Sequence, residues 1–347
     1  MGKRTTLTDI AQAVGVTPST VQRALSDTPG VSEEKRQEIK CVASQMGYRG
    51  NAMAKMLQKQ GLTIAVILPE PAYYSQRLWD GAERCLSENA GFDIVCHRFT
   101  YARSPENLAA ALETVWNELG TGLDGVLTMG EPDEQVHTVC RRWLEHQVPV
   151  VWVGTDADPT GRLCCCCGVS GMAGSMAADL LLLGARADQP MKVLLTGDFS
   201  ISDQYADMQG FEQVLMQNGG VFEIIKLSGR MSDEQMRQML YDRLMSENIN
   251  AIFSTSARNT VSMCHAVERA GLIEQIKLIG SDLFPQSQEL LLAGKLNAVI
   301  DKRPGWQAYN AMQILLNHIL WKSQPESAVY HAPSVVTRSN VEHIDIL

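Results

Sequence analysis

The chain has 347 residues, 45% apolar and 20% charged, with a formal net charge of −9. That length and mix fit a globular protein of two or three domains and exclude a wholly disordered, collagenous or coiled-coil chain. The acidic total argues at first against a polyanionic partner. It conceals an asymmetry, because residues 1–60 carry nine Lys or Arg against five Asp or Glu, a net +4, and the remainder carries −13. A basic head on an acidic body suits a small module that meets a polyanion.

The first sixty residues read as short helices. Thr6-Leu7-Thr8-Asp9 has the form of a capping box, and Leu7, Ile10, Ala11 and Val14 follow at helical spacing. Gly15 ends that helix. Thr17 is a good N-cap for a second one, with Pro18 in the tolerated first turn and Val21 and Leu25 on its inner face. Ser32 caps a third helix, with Ile39, Val42, Ala43 and Met46 turned inward. A short fourth segment, residues 50–58, can be capped by Asn51 but is too short to be stable alone.

From Leu62 onward, apolar strand-like runs alternate with helices. The strands read from the pattern are 63–68, 93–96, 125–129, 148–153, 192–196, 222–227, 251–254, 277–280 and 297–300, with helices such as 105–119, 232–246 and 306–321. This alternation predicts an α/β body with parallel sheets. Four consecutive cysteines, Cys164–Cys167, read as a buried strand; a strand sends alternate side chains to opposite faces, so at most two could share a metal. Nine cysteines without framework spacing, and polar Thr-Thr-Leu-Thr after Lys3-Arg4, point to reduced thiols in the cytoplasm. No apolar run approaches the ~20 residues that span a bilayer, so no membrane partner is expected.

Helix, tight glycine turn, helix is the arrangement that places a second helix in the major groove. Gln22 and Arg23 have the donors and acceptors to read base edges, and Pro18 offers apolar contact. Thr17, Ser19 and Thr20 suit phosphates at the helix start. Residues 6–57 closely resemble the DNA-binding head of the LacI/GalR family of bacterial transcriptional repressors. The match is carried by Leu7-Thr8-Asp9-Ile10-Ala11, Val14-Gly15-Val16-Thr17, Thr20-Val21 with Arg23, Val31-Ser32, and Met46-Gly47-Tyr48-Arg49 with Asn51-Ala52, Ala54 and Leu57. The resemblance implies that residues 50–58 form a hinge helix that pairs with a second copy on the operator. Leu57 would wedge between base steps, and Ala54 would permit close approach. Two positions depart from the family: Gly50 replaces a usual proline, which predicts a hinge less ordered away from DNA, and Gln22 replaces a frequent serine.

The body resembles the family's effector domain, of the type I periplasmic-binding-protein fold, through short stretches such as Trp79-Asp80-Gly81-Ala82, Gly210-Phe211, Ile279-Gly280-Ser281-Asp282 and Ala298-Val299-Ile300-Asp301. The implied organisation is a head at 1–49, a hinge and linker at 50–61, and an effector and dimerisation domain at 62–347. Its first lobe would span about 62–160 plus 291–320, and its second about 161–290 plus 321–347. Ligand candidates follow strand ends: Tyr73, Tyr74, Trp79, Asn259, Asp282, Lys302 and Arg303. Asp207 stands where many members carry an effector-binding arginine, which suits a cationic or hydroxyl-rich ligand better than an anionic one. These features imply a homodimeric, ligand-responsive operator-binding regulator, a repressor of carbohydrate-related genes, with a sugar or sugar derivative as effector. A sugar-binding protein with no DNA role is the competing reading. No catalytic motif, metal set or cofactor motif is present, so neither an enzyme nor a cofactor is expected.

Overall fold

The structure, a computed structural model, describes residues 5–25, 29–46, 61–184, 190–218, 221–229 and 231–345. The chain divides into two compact units, residues 1–61 with 320–322, and 62–319 with 323–347.

The head contains α1 (Leu7–Val14), α2 (Pro18–Leu25) and α3 (Glu33–Gln45). The capping box forms as read: Thr6 N–H donates to Asp9 Oδ2 at 2.7 Å, and Asp9 N–H to Thr6 Oγ1 at 3.3 Å. Gly15 ends α1 at φ 68°, a left-handed conformation that a Cβ would strain. Ile10, Ala11, Val14, Val21, Ala24, Ile39 and Ala43 form the core, with Val42 and Met46 packed against it. Two cations of α3 close the ends of the other helices. Lys35 Nζ donates to the Val14 carbonyl at 3.1 Å, and the buried Arg36 donates to the carbonyls of Arg23 and Ala24 at 3.5 and 3.4 Å. The expected hinge, with Asn51, Ala54 and Leu57, lies outside the described residues.

The body is two six-stranded sheets. The first has the order β11-β5-β4-β3-β1-β2, with β1 (Leu62–Pro69), β2 (Ile94–Tyr101), β3 (Gly125–Met129), β4 (Val150–Gly154), β5 (Cys164–Gly168) and β11 (Ala328–His331), all parallel. The second has the order β12-β10-β9-β8-β6-β7, with β6 (Met191–Gly197), β7 (Phe222–Ser228), β8 (Ala251–Ser254), β9 (Lys277–Ser281), β10 (Ala298–Asp301) and an antiparallel edge strand β12 (Ser334–Val336). The helices between strands are α4 (Tyr74–Glu88), α5 (Pro105–Leu119), α6 (Glu134–Glu145), α7 (Met172–Leu182), α8 (Ser202–Gln217), α9 (Asp233–Ser246), α10 (Ala257–Ala270), α11 (Pro285–Leu292) and α12 (Pro304–Trp321).

Alternation sorts the second sheet's side chains into two cores. Leu194, Ile252, Leu278 and Val299 join one face, and Val193, Leu195, Phe253, Ile279 and Ile300 the other. Both faces are apolar because helices cover both, which is why these strands read as unbroken apolar runs.

Sheet membership corrects the expected lobe limits. The cysteine strand and Ala328–His331 belong to the first sheet, and Ala298–Asp301 belongs to the second. The chain changes sheets at residues 169–171, 302–303 and 332–333, links of only two or three residues that carry no compositional signature. All four consecutive cysteines are buried in β5, each with a free thiol.

Candidate DNA-binding face and interlobe effector cleft

On the head, Thr17 caps α2: its Oγ1 accepts from Thr20 N–H at 3.2 Å and lies 2.9 and 2.8 Å from the Ser19 and Thr20 hydroxyls. Thr17, Pro18, Ser19, Gln22 and Arg23 are exposed, and Thr20 is half-buried. Val21 and Ala24 point into the core, so helical spacing alone turns the polar residues of α2 outward.

On the body, charged groups converge where strand ends of the two sheets face one another. Lys302, in the link after β10, is the centre. Its Nζ lies 3.5 Å from Asp207, 3.7 Å from Asp282 and 4.0 Å from Asp203, and 3.5 Å from the Thr255 carbonyl oxygen. From the first lobe, Arg103 follows β2 and donates to Asp203 Oδ1 at 3.3 Å, while Tyr74 presents its ring to both Arg103 and Lys302. Tyr73 packs edge-on against Phe284 of the second lobe at 5.2 Å. Beneath these groups, Arg77 of α4 and Asp301 at the end of β10 form a buried ion pair, with Arg77 Nη2 3.2 Å from Asp301 Oδ2. Leu283 N–H also donates to Asp301, at 3.2 Å.

The local sequence explains this convergence. Asp203 and Asp207 are four apart on α8 and so share a face. That face is seated by a close crossing of α7 and α8, where a Cβ on Gly174 would stand 1.7 Å from the Asp207 carbonyl oxygen. Phe211, a turn further on, stacks on Phe253 of β8 at 5.0 Å. Three non-glycine residues at the cleft adopt left-handed backbone: Tyr73 at φ 46°, Asp282 at φ 61° and Arg303 at φ 57°. Such conformations are costly and concentrate where side chains must be aimed.

Electrostatics follow from burial and crowding. Burial pushes the Asp207 carboxyl up to about 6; Asp203 and Asp282 add to the rise, whereas Lys302 and a Gly174 backbone hydrogen bond oppose it. Burial pushes Glu131, after β3, up to about 7; Arg103 opposes this, and Asp203 and Asp133 add to it. Burial raises Asp282 as well, against the pull of Lys302. Burial also acts upward on Asp203, but Arg103, Lys302 and two backbone N–H groups at the start of α8 hold it below its ordinary value. For Lys302, the three carboxylates outweigh burial and raise the ammonium. Tyr101 Oη, Asp207 Oδ2 and Gln307 Oε1 are buried here without a hydrogen-bond partner. Unfilled donors and acceptors in a sealed site fit a polar ligand that bridges two lobes.

Of the expected effector residues, Tyr74, Asp207, Asp282 and Lys302 meet in this cluster and Tyr73 borders it, whereas the Arg303 guanidinium lies over the Trp306 ring, 5.9 Å from its centroid. Trp79 does not. It is 1% exposed, its indole N–H donates to the Pro69 carbonyl at 2.9 Å, and it packs between α4 and the first sheet. Asn259 lies deeper in the second lobe, donating to Thr196 Oγ1 at 3.1 Å. Sequence reasoning missed Arg103, Glu131, Asp203 and the Arg77–Asp301 pair. Arg103 and Glu131 follow strand ends and could have been found by treating every such end alike. Arg77 and Asp301 meet across a sequence separation that no local pattern reveals. An open groove of about 310 Å³ between α5 and α6 is lined by Glu106, Glu113 and Glu134, among others; Glu113 and Glu134 are paired with Arg142 and Arg141. Among the described residues, no group of three or more His, Cys, Asp or Glu is arranged to hold a metal ion, and no helix is long and apolar enough to cross a membrane.

A helix-turn-helix head followed by a two-lobed α/β body with a polar interlobe cleft defines a DNA-binding transcriptional regulator with a small-molecule sensor. Residues 6–51 match the family described as bacterial regulatory proteins, lacI family, and residues 64–323 match the periplasmic binding protein domain. The chain is 25% identical over 273 residues to catabolite control protein A of Staphylococcus xylosus, covering 77% of this chain and 78% of that one. It is 30% identical over 208 residues to the HTH-type transcriptional regulator GntR of Pseudomonas aeruginosa, covering 56% and 57%. Its fold is similar to that of GanP, a glucose-galactose binding protein from Geobacillus stearothermophilus, with a TM-score of 0.70 at 20% identity over 81% of this chain and 99% of that one. The chain belongs to the LacI/GalR family of bacterial transcriptional regulators, and its body is a periplasmic binding protein domain.

Proposed function

We propose that this regulator is a cytoplasmic homodimeric repressor that releases or grips its operator in response to a sugar or sugar derivative bound in the interlobe cleft. The observation that carries the reading is the convergence of Lys302, Asp203, Asp207 and Asp282 with Arg103 and Tyr74 of the other lobe. A ligand held there touches both lobes and so binds their open and closed arrangements unequally, the condition for any population shift. The sugar-binding GanP shares this fold, which favours a carbohydrate. On the head, Gln22, Arg23 and Pro18 read base edges, and Thr17, Ser19 and Thr20 hold phosphates. Asn51, Ala54 and Leu57 form the minor-groove hinge, and the heads of two copies reach two half-sites. The protein acts through binding, without catalysis.

The test uses the full chain. Bound sequences are selected from randomised duplexes, and binding to the winner is measured with and without hits from a thermal-shift screen of sugars, polyols and sugar acids. A near-palindromic site, a ligand-dependent change in affinity and loss of that change in Asp282→Ala are expected. Operator affinity unmoved by every ligand that stabilises the body would overturn the reading. Arg23→Ala should weaken the selected site by ~1–3 kcal/mol more than random DNA; equal losses would make Arg23 a phosphate contact only.

A further inference from the structure

Resting on the reading of the cleft as the effector site, we propose that its ligand is a polyhydroxylated molecule carrying a protonated amine, an amino sugar or amino polyol. Four carboxyl groups face the cleft, those of Glu131, Asp203, Asp207 and Asp282, against two cations, Arg103 and Lys302. The nearby carboxylates of Asp301 and Asp156 do not change this balance, because Arg77 and Arg162 pair with them. With all four ionised, the carboxylates facing the cleft outnumber its two cations by two. Nor does Lys302 satisfy the groups around it. Its ammonium stands 3.5–4.0 Å from three carboxylates, beyond the ~2.7–2.9 Å of a formed charge-assisted hydrogen bond. Arg103 pairs with Asp203, and Glu131, 7% exposed, forms no ion pair among the described residues.

Unpartnered buried atoms line the same site. Asp207 is 3% exposed, and its Oδ2 has the Lys302 ammonium at 3.5 Å but no formed hydrogen bond. A ligand ammonium would bring three donors to such a carboxylate. Tyr101 Oη and Gln307 Oε1, equally buried and unpartnered, are matched by ligand hydroxyls. A sugar acid would bring another carboxylate to a site already rich in them, and a neutral sugar would bring no cation. The raised carboxyls of Asp207 and Glu131, at about 6 and about 7, agree with this. Asp207 faces Lys302, Asp203, Asp282 and the Gly174 N–H, and Glu131 faces Arg103, Asp203, Asp133 and Tyr101. An entering ammonium displaces the shared protons of these two carboxyls, so amine binding strengthens as pH rises through 6 and 7 and releases protons.

The experiment is calorimetric titration of the full chain with glucosamine, galactosamine, mannosamine and 1-amino-1-deoxysorbitol. Each is run beside its N-acetyl form, its neutral parent and the corresponding sugar acid. At least one free amine should bind about tenfold or more tighter than its three counterparts. Its affinity should fall between about pH 7 and about pH 5, and proton release should be seen in buffers of different ionisation enthalpy. Asp207→Asn and, separately, Glu131→Gln should each narrow the ratio of that amine's affinity to its neutral parent's by about tenfold. Urea unfolding checks that both variants remain folded. A neutral, acetylated or acidic member that binds as tightly as its amine, with sensitivity to Asp282→Ala, overturns the amine assignment and leaves the effector reading standing. No binding by any member overturns both.

Discussion

Replacing Arg77 by methionine removes the cation from a pair in which both partners are almost fully buried, at 4% and 1% side-chain exposure. Asp301 then keeps one backbone donor, Leu283 N–H, for a carboxylate cut off from water. Breaking a buried pair from one side costs ~3–5 kcal/mol, because the charge left behind has no compensation. Against a typical total of ~5–15 kcal/mol, such a loss takes a large part of the stability. With a urea slope of ~1–3 kcal/mol per molar, the unfolding midpoint should drop by about 1 M or more. Far-UV circular dichroism and tryptophan fluorescence should be followed together, since coincident transitions license the two-state treatment. Adding Asp301→Asn removes the stranded charge while keeping an acceptor for Leu283. The double variant should therefore recover most of the loss, with strong coupling in the cycle. A cost below ~1 kcal/mol for Arg77→Met, or a double variant that merely sums the two singles, would refute the picture of a dehydrated pair joining the lobes.

Three further outcomes are expected. Gly174→Leu should lower the thermal midpoint and abolish the ligand response, because its Cβ would meet the Asp207 carbonyl at 1.7 Å, whereas Gly91→Ala, with open space around it, should leave the response intact. Asp207 has a folded-state pKa above its unfolded value, so its contribution favours the folded state below about pH 4 and is lost as pH rises through about 6; thermal midpoints of ligand-free Asp207→Asn should thus exceed those of the parent more at pH 8 than at pH 5. Trp79→Phe should cost ~1 kcal/mol for the lost bond to Pro69, plus some packing, and leave ligand affinity unchanged, as measured by chemical denaturation and calorimetry.

The central strands were legible because parallel strands buried on both faces leave apolar runs, and each of the nine runs read from the sequence falls on an observed strand. The Thr6–Asp9 capping box was legible because it is a local bond pattern. The lobe limits were not: the links at 302–303 and 332–333 are too short to shift composition, and β12 is only three residues long. In the cleft, Asp282 and Lys302 were found because strand ends mark ligand sites in open α/β sheets. Trp79 was misplaced by the same rule. It follows β1 in sequence, but α4 has already begun at Tyr74, and Leu78, Trp79, Ala82 and Cys85 form its inner face. The balance of four acids against two bases could not be read in advance, because it depends on residues from both sheets meeting across the cleft.

The three short links set what the lobes can do mechanically. Between His331 and Ser334 there are three Cα steps of about 3.8 Å, so those strand ends can never stand more than about 11 Å apart. The links at 169–171 and 302–303 are similarly short. The lobes therefore cannot draw apart like two plates; they can only swing, with the pivot along the linked side and the travel growing toward the far rim. Pro304 and Pro333 stiffen two of the pivots by fixing their own φ. Lys302 is itself part of a pivot, and its ammonium stands 3.5–4.0 Å from the cleft carboxylates. A molecule that competes for those carboxylates acts on the axle of the motion, where a small change in torsion becomes a large displacement at the rim.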